Sequence, residues 1–307
     1  MNWVSLVIIA IIATSLNIFI DNYISDFYFK GKGANAQKMF YAIASIVVSI
    51  VFLFAGGFDF ISLEFKTLIL FFISGFIASF GSIAYYKALE IDNSTNLSIF
   101  IQLTPVLYLI FGWIFFGDSL SVQQLIAFLI ILSAPFIIVV STRKRSRDTQ
   151  IKSILFVLTY VLIKVISNLI FIKENVPEIN FISEIAFVYM GKGIGDLIIM
   201  YTHPKWRKRF RYVEKASRKK VLYPLLAETI VSVVKNVSYQ ASLILAPTAA
   251  IASASTDSII PIAVFFMGLV FTIIWPKFGR EKLNRKSVLV HLIATILVVI
   301  GIVLIQN

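Results

Sequence analysis

The sequence predicts an all-α membrane protein with ten transmembrane helices, arranged as two inverted five-helix repeats. Three observations predict it. The chain is 59% hydrophobic and 14% charged, with a mean hydropathy of +0.89, and a soluble protein would expose much of that apolar surface as aggregation-prone patches. Apolar runs long enough to cross a bilayer recur along the whole chain. Finally, several short motifs of the first half return in the second half.

Each apolar run is predicted to be a helix, although many are rich in Val, Ile and Phe, because a chain in lipid must satisfy its own backbone hydrogen bonds. The first run starts at Trp3 with no preceding Lys or Arg, so we expect a retained helix and not a cleaved signal peptide. The ten predicted spans are 3–20, 39–56, 67–87, 96–116, 121–141, 153–172, 181–201, 221–244, 250–274 and 287–305.

The distribution of positive charge predicts the orientation of these spans. The loops after the first, fifth, seventh and ninth spans hold 22 of the 28 Lys and Arg residues, whereas the opposite loops hold only Lys66 and Lys173. Cytoplasmic loops are enriched in Lys and Arg. We therefore expect a multi-pass protein of the cell membrane with these loops in the cytoplasm and both termini outside.

The most basic loop, Lys205 to Lys220, allows more than one interpretation. It is expected to anchor the topology; the alternatives are that it binds anionic lipid headgroups or RNA. No nucleic-acid partner is predicted.

An internal repeat divides the ten spans into five and five. The unit around Pro105 runs from a helix end at Tyr86-Lys87-Ala88-Leu89 through Thr104-Pro105-Val106 to a turn at Phe116-Gly117-Asp118. In the second half Tyr239-Gln240-Ala241-Ser242-Leu243 and Ile260-Pro261-Ile262 resemble its first two parts. We predict a first repeat at 1–142, a basic cytoplasmic linker at 143–152 and a second repeat at 153–307. A repeat with an odd number of spans is inverted across the bilayer, as in secondary transporters.

These motifs resemble the EamA-like branch of the drug/metabolite transporter superfamily. The residues that carry the resemblance are Ala84-Tyr85-Tyr86-Lys87-Ala88-Leu89, Leu103-Thr104-Pro105-Val106 and Phe115-Phe116-Gly117-Asp118-Ser119-Leu120 with Gln123. The turn has Phe-Gly-Asp where the family pattern has Leu-Gly-Glu. The resemblance covers nearly the whole chain and implies a ten-helix, two-repeat carrier of small metabolites.

Ionisable side chains inside spans are functional candidates, because each is expensive to insert into a bilayer. Lys192 and Asp196 are four residues apart on one helix face and can pair, and Glu228 and Lys235 lie two turns apart on one face. With Asp257 and Lys164 they either form structural ion pairs or line a wet cavity for a charged or zwitterionic substrate.

Asp257 is the carboxylate expected to contact substrate or proton, since Pro261 four residues later frees a backbone carbonyl beside it. Lys235 is the second choice, as a cation that faces the substrate. Pro105 and Pro261 are the predicted hinges.

The first repeat offers neutral polar side chains for substrate contacts, with ordinary helix-to-helix hydrogen bonds as the alternative. Asn17, Gln102 and Tyr108 are its candidate site residues. Tyr85, Tyr86 and Tyr239 are instead expected to be aromatic residues of the membrane interface.

Other kinds of site find little support. Gly191 to Gly195 lacks the spacing of a phosphate loop and is predicted to be a helix-packing motif. The chain has no cysteine and two histidines, His203 and His291, so we predict no catalytic residues, no metal and no cofactor.

The sequence thus predicts a gradient-driven transporter of a small polar or charged metabolite by alternating access. Its expected partners are that metabolite, the lipid bilayer, a proton or sodium as coupling ion, and a second copy of the chain in a homodimer. The alternative is a membrane-embedded receptor or scaffold whose basic cytoplasmic loops bind partners.

Overall fold

The computed structural model describes residues 2–28, 34–57, 59–91, 101, 103–142, 147–175, 181–202, 204–274 and 285–306. These residues form α-helices and one short 3-10 helix at Asp59–Ser62, with no strand among them. The helices are α1 (Trp3–Tyr28), α2 (Ala34–Ala55), α3 (Phe65–Ile91), α4 (Thr104–Phe116), α5 (Val122–Thr142), α6 (Arg147–Glu174), α7 (Phe181–Thr202), α8 (Pro204–Leu245), α9 (Ala249–Asp257), α10 (Ile260–Ile274) and α11 (Arg285–Gln306).

The predicted fold class is confirmed. Four segments of the described chain, at Trp3–Asp21, Phe65–Tyr85, Leu155–Glu174 and Ala249–Ile274, are long and apolar enough to cross a bilayer. Shorter apolar helices occupy Phe40–Ala55, Thr104–Phe116 and Val122–Ser133. With α9 and α10 counted as one crossing, the described helices correspond to the ten predicted spans. The division of the chain into two repeats and their inversion across the bilayer stay predictions.

The ninth predicted span is broken into two helices. α9 ends at Asp257, residues 258 and 259 form a turn, and α10 begins at Ile260. Pro261 has no N–H to donate to the carbonyl of Asp257, and its ring disfavours helical geometry in the preceding residue. The proline therefore ends one helix and starts another, where an uninterrupted span was predicted.

Pro105 lies in the first turn of α4, whereas the predicted span 96–116 would place it near the middle of a helix. Its fixed φ and missing N–H suit that position, because the first N–H groups of a helix have no partner within it. At the other end Gly117 adopts a φ of 72°, and its N–H and that of Asp118 bond the carbonyls of Trp113 and Gly112. The two repeated prolines thus occupy equivalent places, since Pro261 is also in a first turn.

The chain forms two compact units, each built from segments of both halves. The first unit comprises Met1–Asp21, Leu89–Leu158 and Ile230–Asn307. Within it α9 packs against α4, and α5 packs along α11. The side-chain amide of Gln123 donates to the carbonyl of Leu304 (3.0 Å) at one end of that pair.

The second unit comprises Asn22–Ala88 and Thr159–Thr229. In it α2 packs along α7, and small residues bring helix backbones together. A Cβ on Gly191 would lie 1.9 Å from the carbonyl oxygen of Phe72, and one on Gly75 would lie 1.8 Å from that of Val188. These distances leave no space for a side chain, which agrees with the predicted packing role of the glycines in α7.

Candidate functional site

Asp257 is the centre of a buried polar cluster in the first unit. Its carboxylate oxygen Oδ2 accepts hydrogen bonds from the Ser253 hydroxyl (2.8 Å) and from the Tyr239 hydroxyl (3.4 Å). The Tyr239 hydroxyl also lies 3.3 Å from Ser253 Oγ, and the Tyr108 hydroxyl is another of its hydrogen-bond partners. Asp257 is only 6% exposed, and Tyr108 and Ser253 are fully buried.

Three helices supply this cluster. Ser253 and Asp257 are one turn apart on α9, so their side chains share a helix face. The helix starts at Thr248, whose hydroxyl accepts from the N–H of Ile251 (3.3 Å), as an N-cap threonine does. Tyr108 comes from α4, which packs against α9, and Tyr239 comes from α8. The break after Asp257 therefore places a carboxylate at the end of a short helix, in contact with two tyrosine-bearing neighbours.

Lys235 forms a second polar contact in the same unit. Its ammonium group donates to the side-chain oxygen of Asn17 on α1 at 2.8 Å. Asn17 is 5% exposed, so the contact is largely shielded from the surroundings.

The two contacts are linked along α8. Lys235 and Tyr239 are four residues apart, which places them on one face of that helix, with Cβ atoms about 5–6 Å apart. One unit thus brings together four of the predicted site residues, Asp257, Tyr108, Lys235 and Asn17, from four different helices.

The remaining charged candidates belong to the second unit. Asp196 in α7 and Glu228 in α8 are each 2% exposed. Lys192 lies one turn before Asp196, with its ammonium nitrogen 6.0 Å from the centroid of the Tyr189 ring. That distance is at the outer limit of a cation–π contact.

Sequence reasoning missed one buried carboxylate, Glu184. It lies in the first turn of α7, is fully buried, and accepts a hydrogen bond of 2.6 Å from the side-chain amide of Asn175. The signal was present, because Glu184 falls inside the predicted span 181–201. A carboxylate is also favoured at a helix N-terminus by the partial positive charge there.

Two further expectations have different outcomes. Gln102 lies outside the described residues. Tyr239 was expected at the membrane interface, but the structure places it against Asp257. Tyr85, for which an interface position was also expected, packs against Tyr160 in the second unit, with the two ring centroids 5.1 Å apart.

The chemistry available to the cluster is the exchange of hydrogen-bond partners and of a proton. Hydroxyl groups can donate to an ionised carboxylate or accept from a protonated one, so Ser253 and Tyr239 can satisfy Asp257 in either state. The described residues contain no group of three or more His, Cys, Asp and Glu side chains placed to hold a metal ion.

Comparison with known proteins finds a family whose model matches part of the chain. Residues 1–140, which cover nearly all of the first predicted repeat, match the model of the EamA-like transporter family. The match confirms the resemblance drawn from the sequence motifs. A solved structure described only as the crystal structure of a protein shares the fold, with a TM-score of 0.65 and 12% identity over 96% of this chain and 95% of that one. No curated protein matches.

Proposed function

We propose that this chain carries a small polar or charged metabolite across the membrane by alternating access, driven by a gradient. Its first 140 residues match the EamA-like transporter family. The observation that carries the proposal is the Asp257 cluster. A buried carboxylate inside a membrane-spanning segment is expensive and is a functional site by default. Secondary transporters typically form their substrate and coupling-ion sites at the breaks of discontinuous helices, and Asp257 is the last residue before a break.

In this proposal Asp257 binds the coupling proton or the cationic group of the substrate, and Ser253 and Tyr239 hold the carboxylate in place. Lys235 lies one helical turn before Tyr239 on α8 and would bind an anionic group of the substrate. Binding at Lys235 would compete with Asn17, its 2.8 Å partner, and would loosen the contact between α8 and α1. Pro105 and Pro261 act as hinges in the movement that exposes the site to each side in turn.

The test is direct flux in vesicles. Purified protein is reconstituted into liposomes that carry an imposed proton or sodium gradient, and metabolite pools are supplied outside. Accumulated solutes are identified by mass spectrometry of the lumen, and a trapped pH-sensitive dye reports proton movement. We expect uptake that collapses when the gradient is removed. Flux no greater than in protein-free liposomes, with every pool and both gradients, would favour the receptor or scaffold alternative.

The site is tested separately with Asp257→Asn, which keeps the shape of the side chain but removes its charge and its proton. We expect gradient-driven flux to be lost and its pH dependence to disappear. The matched control is Asp118→Asn, the same change in the turn after α4, outside the cluster. If Asp257→Asn transports like wild type with the same pH profile, Asp257 has no role in coupling or binding.

A further inference from the structure

Helix α8 is much longer than a membrane crossing requires. It runs for 42 residues, which corresponds to about 63 Å at a rise of 1.5 Å per residue. The hydrocarbon core of a bilayer is about 30 Å thick and needs roughly 20 residues. The apolar part of α8 begins near Val221, so the helix continues beyond the hydrocarbon through the preceding segment, residues 204–220.

That segment is strongly basic. Between Lys205 and Lys220 the single acidic residue is Glu214, and the chain is helical throughout. Its nine cationic residues are Lys205, Arg207, Lys208, Arg209, Arg211, Lys215, Arg218, Lys219 and Lys220. Basic clusters of this kind, directly next to a membrane span, are attracted to anionic lipid headgroups.

An apolar stripe runs along the same segment. Trp206, Phe210, Val213 and Val221 follow one another at intervals of four, three and eight residues, which places them on one face of a helix. The nine cationic positions fall on the rest of the helix circumference. A basic helix with an aromatic and aliphatic face is typical of segments that lie in the membrane interface, with the apolar face towards the acyl chains.

The helix also contains a residue that allows it to change direction. Pro224 lies inside α8, just after the basic segment. A proline in a helix interior removes one hydrogen bond and is a common position of kinks. A bend there would let residues 204–220 follow the membrane surface while the rest of α8 crosses the bilayer.

A role as topology anchor alone accounts for the charges, because that rule counts Lys and Arg near a span. It requires neither helical order nor an apolar face. We propose that residues 204–220 form a surface helix that binds anionic phospholipid headgroups through its Lys and Arg residues and inserts its Trp206–Phe210–Val213 face into the interface.

The placement of the helix is tested with Trp206 as a probe. The chain has four tryptophans, and replacing Trp3, Trp113 and Trp275 with Phe leaves Trp206 as the fluorophore of the full-length protein. The protein is reconstituted in phosphatidylcholine vesicles with or without phosphatidylglycerol, each also prepared with lipids brominated on their acyl chains. We expect quenching of Trp206 to be strong with phosphatidylglycerol and reduced by high salt, because salt screens headgroup attraction.

The role of charge is tested with a variant in which Gln replaces four lysines of the segment, Lys205, Lys208, Lys215 and Lys219. The matched control removes four lysines from other basic loops, Lys30, Lys277, Lys282 and Lys286. We expect the first variant to need about tenfold or more phosphatidylglycerol for half-maximal quenching and the control to behave like the parent protein.

Equal quenching with and without phosphatidylglycerol, an equal response of both lysine variants, or no quenching by brominated lipid would each overturn the proposal. A change of Trp206 fluorescence with single-stranded RNA but none with phosphatidylglycerol would overturn it in favour of a nucleic-acid partner. None of these measurements requires transport, so they are independent of the function proposed above.

Discussion

Because α3 and α7 approach closely, we expect even a methyl side chain in place of a glycine between them to lower the stability of the protein. In Gly191→Ala the new Cβ would lie 1.9 Å from the carbonyl oxygen of Phe72, whereas ordinary contact begins at 3.4 Å. The two helices would have to separate by the difference, about 1.5 Å. A gap of even 1 Å forfeits up to about half of the dispersion attraction between facing atoms. Since overpacking typically costs about 1–3 kcal/mol, we expect a loss of about 2–3 kcal/mol in the free energy of unfolding.

The assay is reversible unfolding in mixed detergent micelles, followed by far-UV circular dichroism. Gly75→Ala meets the carbonyl of Val188 at 1.8 Å across the same helix pair, so it should cost a similar amount. The double variant should cost less than the two single losses combined, because one separation relieves both clashes. The control is Ile198→Ala in α7, a side chain 45% exposed and directed away from the packed core, which should change stability little. Wild-type stability for Gly191→Ala would refute the close approach of these helices.

Three smaller effects follow from other contacts. Asn17→Ala removes the 2.8 Å hydrogen-bond partner of Lys235 and should lower the free energy of unfolding by about 0.6 kcal/mol, the average for a hydrogen bond between membrane helices. An unchanged free energy would contradict a hydrogen bond between Lys235 and Asn17. Ser74 and Ser167 each donate to the other's carbonyl, at 2.8 and 2.7 Å. The double Ala variant should therefore lose more stability than Ser133→Ala, whose hydroxyl donates to the carbonyl of Ile130 in its own helix. Burial raises the pKa of Asp118, so the folded protein disfavours the ionised carboxylate and loses stability as the pH rises through that pKa. The variant Asp118→Asn should therefore have a higher melting temperature than wild type at neutral pH. The difference should vanish in acid, where the carboxyl group is protonated in both the folded and the unfolded protein.

The helical fold was predictable because a bilayer leaves the backbone few alternatives. Long apolar runs must be helices there, so the positions of most spans follow from hydropathy alone. The helix ends were less predictable. The break at residues 258 and 259 and the early start of α8 at Pro204 depend on local backbone chemistry and on charged residues that hydropathy excludes from a span.

The candidate site was predictable in part for a similar reason. Asp257 and Lys235 stand out in sequence as charges within apolar runs, and the structure finds both buried or half-buried, with hydrogen-bond partners. Tyr239 and Ser253 carry no such signal, since neither type of residue is unusual in a membrane helix. Their role depends on which helix faces which, and that is a property of tertiary packing.

The divided ninth crossing imposes two different sets of sequence constraints on one passage through the membrane. Every residue of α9 is buried, and its residues are nearly all small, whereas α10 is rich in large apolar side chains and exposes several of them, among them Val270 and Ile273. Because the turn at 258 and 259 interrupts the helix, the direction in which each face of α10 points is not fixed by that of α9. Substitutions that enlarge α9 should therefore be rejected by selection, while the outer face of α10 is free to drift among apolar residues.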